Sequence, residues 1–287
     1  MNAPVSPVPL PPGRLVNLPG RGEVFLRDSG GDGPAVLLLH GWMFQSDLNW
    51  WPVYGPLAEA GLRVLAIDHR GHGRGLRTRE PFSLEACAGD AAALVRELDC
   101  GPVTVVGYSM GGPIAQLVAR DHPTEVRGLV LCATAQEWQG LWMNVFWKTM
   151  GLTRLWLGLF PKGVWDLLLR SARVPEGPYR DWAVSELTRG SSLDMAEAGR
   201  ELSRYDARLW IDDLGGLPSA VVVTTKDRSV PPHKQRALAE ALGAETFDVR
   251  ADHMAVSTHR KAFRAALLAA LDSVGATEQH GLQAVAG

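Results

Sequence analysis

Five short stretches of the chain, Ala35 to Leu39, Val64 to Ile67, Val103 to Val106, Leu129 to Cys132 and Ala220 to Val223, are apolar or nearly so at every position. A strand with one solvated face would alternate apolar and polar residues, so these continuous runs predict parallel strands covered on both faces. Helical spacing fills the intervals between them. Leu84, Cys87, Ala91, Leu94, Val95 and Leu98 recur at steps of three and four after a candidate N-cap, Ser83. Phe263, Leu267, Leu271 and Val274 repeat the pattern and close the folded part. Strand starts recur roughly every 25 to 40 residues up to Cys132, and then about 90 residues pass before the next, too many for an ordinary crossover.

That gap predicts an inserted helical cap over residues 136–208, carried by an α/β core of residues 1–135 and 209–287. Within the core, residues 1–21 read as an extended N-terminal arm, with five prolines between positions 4 and 12, and residues 275–287 as a loose tail. Six of the ten tryptophans (Trp138, Trp142, Trp147, Trp156, Trp165 and Trp182) fall in the insertion. Two uses are open to them: the core of a small helical unit, or the wall of a ligand pocket or lipid-facing surface.

Composition narrows the class. With 287 residues, 46% of them hydrophobic, the chain suits one large α/β domain with an insertion as well as it suits two domains. A formal charge of −2 without a Lys/Arg block argues against a nucleic-acid partner. Cys87, Cys100 and Cys132 are odd in number and lack metal-like spacing, which points to reduced thiols. No secretory pattern opens the chain and no long apolar run crosses it, so a cytoplasmic protein without stable membrane insertion is expected.

Gly107-Tyr108-Ser109-Met110-Gly111 is a G-x-S-x-G pentapeptide. By chance alone it is expected about 0.16 times in a chain of this composition, so its context carries the weight. A β-branched run precedes it and a helical segment, Gly112 to Arg120, follows. This is the strand, sharp turn and helix that a nucleophile elbow needs, with Ser109 as the nucleophile.

Together with Leu39-His40-Gly41-Trp42 after one strand and Asp68-His69-Arg70-Gly71-His72-Gly73 after the next, the pentapeptide resembles the α/β-hydrolase superfamily over roughly Gly22 to Ser273. The resemblance implies an α/β-hydrolase fold: an eight-stranded, mostly parallel sheet flanked by helices, with the cap inserted after the sixth strand. It also implies the chain order serine, acid, histidine. Asp227, ahead of Val230-Pro231, fits the acid of the loop after strand seven, and His253 fits the base after the last strand. Asp212, Asp213 and Asp248 are less well placed for the acid, as are His122, His233, His259 and His280 for the base. The family's oxyanion hole implies the backbone N–H groups of Trp42 and Met110. His40, Tyr108, Trp138, Trp142 and Trp147 are candidates for the substrate pocket, with His40 also read as shaping its own loop.

Gly30-Gly31-Asp32-Gly33 precedes a strand, and Gly71-His72-Gly73-Arg74-Gly75 lacks the dinucleotide spacing, so no cofactor is expected. His69 and His72 come without a third ligand pattern, and no metal is expected either. The resemblance thus implies a serine hydrolase acting on apolar carboxylic esters. Lactonase, thioesterase, carbon-carbon bond hydrolase and cofactor-free perhydrolase chemistry remain open on the same triad, as does a small-molecule receptor with slow turnover. Epoxide and haloalkane hydrolysis is disfavoured, since the family uses an aspartate nucleophile for it where this chain has Ser109. Nothing in the sequence sets the oligomeric state.

Overall fold

The computed structural model describes residues 5–140 and 147–277. Its centre is an eight-stranded sheet of β1 (Gly13–Leu18), β2 (Gly22–Asp28), β3 (Ala35–Leu39), β4 (Arg63–Ile67), β5 (Val103–Tyr108), β6 (Val126–Cys132), β7 (Ser219–Thr224) and β8 (Glu245–Val249). The spatial order is β1-β2-β4-β3-β5-β6-β7-β8. β2 runs antiparallel to both β1 and β4, and the remaining neighbours are parallel.

The continuous apolar runs have the predicted cause, since both faces of the sheet are covered. Leu37 and Leu39 join one core, which α2 (Leu84–Glu97), α3 (Gly111–Asp121) and α8 (Pro232–Leu242) close with Cys87, Ile114 and Leu238. Val36 and Leu38 point the other way, under Trp50 and Leu57 of α1 (Ser46–Glu59) and Phe263 and Leu267 of α10 (Arg260–Ser273). Ser83 caps α2 as expected, its side chain accepting from the Ala86 N–H. Helix α1 has no clear sequence signature because Pro52 and Pro56 lie inside it. Its buried Trp50, Val53, Tyr54 and Leu57 hold it against the sheet instead.

Two expectations at the ends of the chain are corrected. Residues 13–18 of the supposed arm form β1, paired with β2 along its whole length, with Val16 and Leu18 buried. The tail reading also begins too early. Ala276 is fully buried, its N–H donates to the Leu271 carbonyl, and its carbonyl accepts from the Arg127 guanidinium.

Between β6 and β7 the chain makes a long helical excursion. Its described helices are α4 (Met150–Leu159), α5 (Pro161–Ser171), α6 (Pro178–Leu187) and α7 (Ser192–Arg204). It leaves and returns through a narrow neck. Glu137 and Asp206 form an antiparallel bridge, and the Ala207 N–H donates to the Gln136 carbonyl at 2.7 Å. A separate apolar cluster joins these helices to the core, with Trp165, Trp182 and Met195 packed around Leu48 of α1. All three cysteines are free thiols; Cys87 and Cys132 are buried and Cys100 is partly so.

Candidate active site

Ser109 sits between the end of β5 and the start of α3 with φ +52°, a left-handed conformation that a non-glycine residue rarely adopts. The flanking glycines make this turn possible. A Cβ on Gly107 would lie 2.3 Å from the Gly111 carbonyl oxygen, and one on Gly111 would lie 2.1 Å from that of Leu39. The turn is pinned from three sides. The Ser109 N–H donates to the Cys132 carbonyl, while its own carbonyl accepts from the Gly112 N–H and the Thr134 hydroxyl.

Loops at the ends of β7 and β8 bring Asp227 and His253 to this serine. His253 Nε2 lies 2.9 Å from Ser109 Oγ, and its Nδ1 lies 2.7 Å from Asp227 Oδ2. A carboxylate only accepts, so Nδ1 carries the proton and Nε2 is left to accept from the serine hydroxyl. Asp227 is buried and saturated with donors. The N–H groups of Ser229 and Val230 reach its Oδ1, and the Thr224 hydroxyl reaches its Oδ2. Gln235 of α8 fixes that hydroxyl by donating to it at 2.9 Å.

The loop after β3 faces the same serine. The Gly41 N–H donates to Asn49 Oδ1 at 3.0 Å, and the Trp42 indole N–H donates to the Met195 carbonyl in α7 at 2.7 Å. Met110 follows the serine as the N-cap of α3 and is buried. Deeper down, Asp68 accepts from both the N–H and the hydroxyl of Ser46 and from Arg74, which also pairs with Asp47. Burial works against the charge of Asp68, but Arg74 and these hydrogen bonds still hold its carboxyl below the usual range.

The sequence-derived pocket residues separate into three groups. Trp138 and Trp147 line a cavity of about 880 Å³ above Ser109, together with Trp42, Met43, Phe44, Trp51, Trp165 and Leu169. Trp147 meets Trp42 edge-on at 5.4 Å. Tyr108 also borders the cavity, but its hydroxyl is committed to the His253 carbonyl at 2.6 Å, so it holds the backbone of His253 in place. His40 belongs elsewhere. It is fully buried outside the cavity wall, its Nδ1–H donating to the Gly41 carbonyl and its Nε2 accepting from the His69 N–H. Its place as a pocket residue is therefore corrected, while its role in shaping the loop stands on those two bonds. Trp142 lies outside the described residues.

His69 and His72 crowd the His40 ring at 4.2 and 5.5 Å between centroids. Among the described residues, no group of three or more His, Cys, Asp or Glu side chains is arranged to hold a metal ion. Asn49, Thr134, Thr224 and Gln235 were not singled out from the sequence. Thr134 is a lone polar residue in an apolar stretch, Asn49, Thr224 and Gln235 lie among other polar residues, and in each case only the partner in space reveals the use.

Residues 34–259 match the model of the alpha/beta hydrolase fold family. A non-heme haloperoxidase of Rhodococcus erythropolis is 29% identical over 225 residues, which are 73% of this chain and 80% of that protein. A non-heme chloroperoxidase of Kitasatospora aureofaciens is 34% identical over 110 residues, 38% of this chain and 39% of that protein. An esterase structure from Exiguobacterium antarcticum matches with TM-score 0.78 and 19% identity over 91% of this chain and 100% of that one, a likeness of fold alone. No helix among the described residues is long and apolar enough to cross a membrane. Because the family match spans most of the sequence and the eight-stranded, mostly parallel sheet flanked by helices agrees with it, this chain belongs to the alpha/beta hydrolase fold family.

Proposed function

We propose that this protein is a serine hydrolase that cleaves carboxylic esters of apolar small molecules through an acyl-enzyme. The observation that carries the reading is the hydrogen-bonded series from Ser109 Oγ through the His253 ring to Asp227. Ser109 Oγ attacks the ester carbonyl carbon as His253 Nε2 takes its proton, and Asp227 stabilises the imidazolium that forms. The backbone N–H groups of Trp42 and Met110 receive the charge developing on the carbonyl oxygen. His253 then returns the proton to the departing alcohol. In the second half, water attacks the acyl carbon and gives its proton to His253, which returns it to Ser109 Oγ as the carboxylic acid leaves.

Apolar specificity rests on the cavity wall, to which aromatic and aliphatic side chains from the described helices between β6 and β7, acting as a cap, contribute. One backbone feature favours ester hydrolysis over peracid formation. Perhydrolase-like relatives commonly place proline after the oxyanion tryptophan, whereas Met43 stands there with φ +66°, which a proline ring locked near −65° excludes.

The test is turnover of a panel of p-nitrophenyl esters, a thioester and a lactone by the wild type and by Ser109→Ala. Loss of the nucleophile is expected to lower kcat about 10⁶-fold on the best substrate. Equal, slow turnover of every substrate by both proteins would refute the hydrolase reading and favour a ligand receptor.

A further inference from the structure

Among the described residues, eleven large apolar side chains are exposed, and seven of them lie between positions 152 and 168. Leu152, Leu155, Trp156 and Leu159 follow one another at i, i+3, i+4 and i+7 along α4, one continuous stripe of the helix surface. Folding does not require this stripe. The inward face of the same helix is supplied by Met150 and Leu157, which are buried. Phe160 extends the stripe, its ring 6.0 Å from that of Trp156, and Leu167 of α5 is 67% exposed. Scattered exposed leucines are ordinary, but a patch concentrated on two adjoining helices marks a surface meant to be covered.

Charge identifies what covers it. Residues 147–173 hold five basic side chains, Lys148, Arg154, Lys162, Arg170 and Arg173, against a single acidic one, Asp166, in a chain whose net charge is −2. Asp166 is already taken up by Arg170 and Arg180. Among the described residues, Lys148, Arg154 and Lys162 are exposed and have no carboxylate partner. Exposed leucines and a tryptophan interleaved with unpaired cations are the composition of a helix that lies in the interface of an anionic bilayer. A second copy of this chain would instead bring an equally basic face against this one.

From this we propose that α4 and α5 dock the protein, peripherally and reversibly, on membranes that carry anionic lipid. The proposal also gives the cavity an entrance. Leu168 is 47% exposed and is part of the cavity wall, and Trp165, Leu169 and Val174 line the cavity around it. Docking would thus set a bilayer beside the route by which an apolar substrate reaches Ser109.

Binding is measured without turnover, so its outcome is independent of the ester reading. The full chain is sedimented with vesicles of phosphatidylcholine alone and with vesicles of mixed phosphatidylcholine and phosphatidylglycerol. Wild type is expected to sediment with the mixed vesicles at least about tenfold more strongly than with phosphatidylcholine, and salt should weaken that preference. Leu155→Ser/Trp156→Ser/Leu159→Ser should abolish sedimentation. Arg154→Gln/Lys162→Gln should weaken it by about fivefold per charge removed. Both variants alter only outward side chains, and a circular dichroism spectrum and urea midpoint like those of wild type report that they are folded. Wild type that stays in the supernatant with both vesicle types overturns the proposal, as does a triple variant that binds like wild type. A wild-type dimer that the triple variant converts to monomer, without vesicle binding, would assign the patch to a second copy and also overturn it.

Discussion

Asp227 shows how much a single buried side chain has to be given before it can serve a histidine. Two backbone N–H groups and the Thr224 hydroxyl satisfy it on the sides that His253 does not reach. Replacing it by asparagine keeps the shape but puts a donor where an acceptor faces His253 Nδ1. The wrong tautomer then leaves Nε2 unable to take the serine proton. A fall in kcat of about 10⁴ with little change in KM is expected from steady-state assays of Asp227→Asn. Asn49 presents a subtler case. Its Oδ1 holds the Gly41 N–H beside Ser109, so Asn49→Leu leaves a buried donor unpaired within the loop after β3. A loss of about 1–3 kcal/mol in transition-state binding is expected, read as lower kcat/KM on the best ester, while a circular dichroism spectrum like that of wild type would show the fold intact.

At the scale of elements, the elbow depends on how closely β5, α3 and β3 approach. The missing Cβ of Gly111 is what lets the start of α3 lie against the end of β3. Gly111→Ala would drive a methyl group into the Leu39 carbonyl, and backbone cannot move aside as a side-chain tip could. Destabilisation of about 3 kcal/mol, seen as a lower urea midpoint, should accompany loss of activity. Under the proposed function, substrate selection falls to the elements between β6 and β7. Because Trp138, Trp147 and Trp165 give the cavity an apolar wall, each acyl methylene it accepts should add up to about 0.8 kcal/mol to binding until the space is filled. A series of p-nitrophenyl esters from acetyl to octanoyl checks this. A flat profile would contradict an apolar acyl pocket.

At the scale of the whole molecule, a pH dependence of stability is expected from His40, His69 and His72, packed together behind the loop after β3. Burial lowers all three, His72 to about 3, with the mutual repulsion of the rings adding to the effect on His69 and His72. Arg77 presses His72 the same way, whereas Asp68 pulls His40 and His72 upward more weakly. The sign follows from linkage. Above the ordinary histidine value near 6.5, neither the folded nor the unfolded chain binds these protons. Below it the unfolded chain takes them up and the folded one does not. Stability present above that value is therefore lost as pH falls from 6.5 towards 3. The half-buried carboxyls of Asp194 and Glu201, raised by desolvation, act with the opposite sign. Urea midpoints should fall between about pH 7 and about pH 5, and His72→Asn should flatten the slope. A slope unchanged in that variant would place the sensitivity elsewhere.

Local pattern was enough to read the layers and to single out Ser109, Asp227 and His253, which the fold brings within hydrogen-bond distance of one another. Strands buried on both faces must be apolar throughout, which marked β3 to β7, and an elbow has to be built from glycines around its serine. Asp227 and His253 were legible because each follows a strand end in a fixed chain order. What escaped were features whose cause lies far away in the chain. β1 is an edge strand with only Val16 and Leu18 buried, and only its pairing with β2 makes Gly13–Leu18 a strand. His40 reads like a pocket residue until His69, from the next strand-end loop, is seen to claim its ring. The tryptophans divide in the same way. Sequence counted them in the insertion, but packing decided that Trp147 and Trp165 border the cavity while Trp156 faces solvent, because which side of a helix is covered depends on what the rest of the chain places against it.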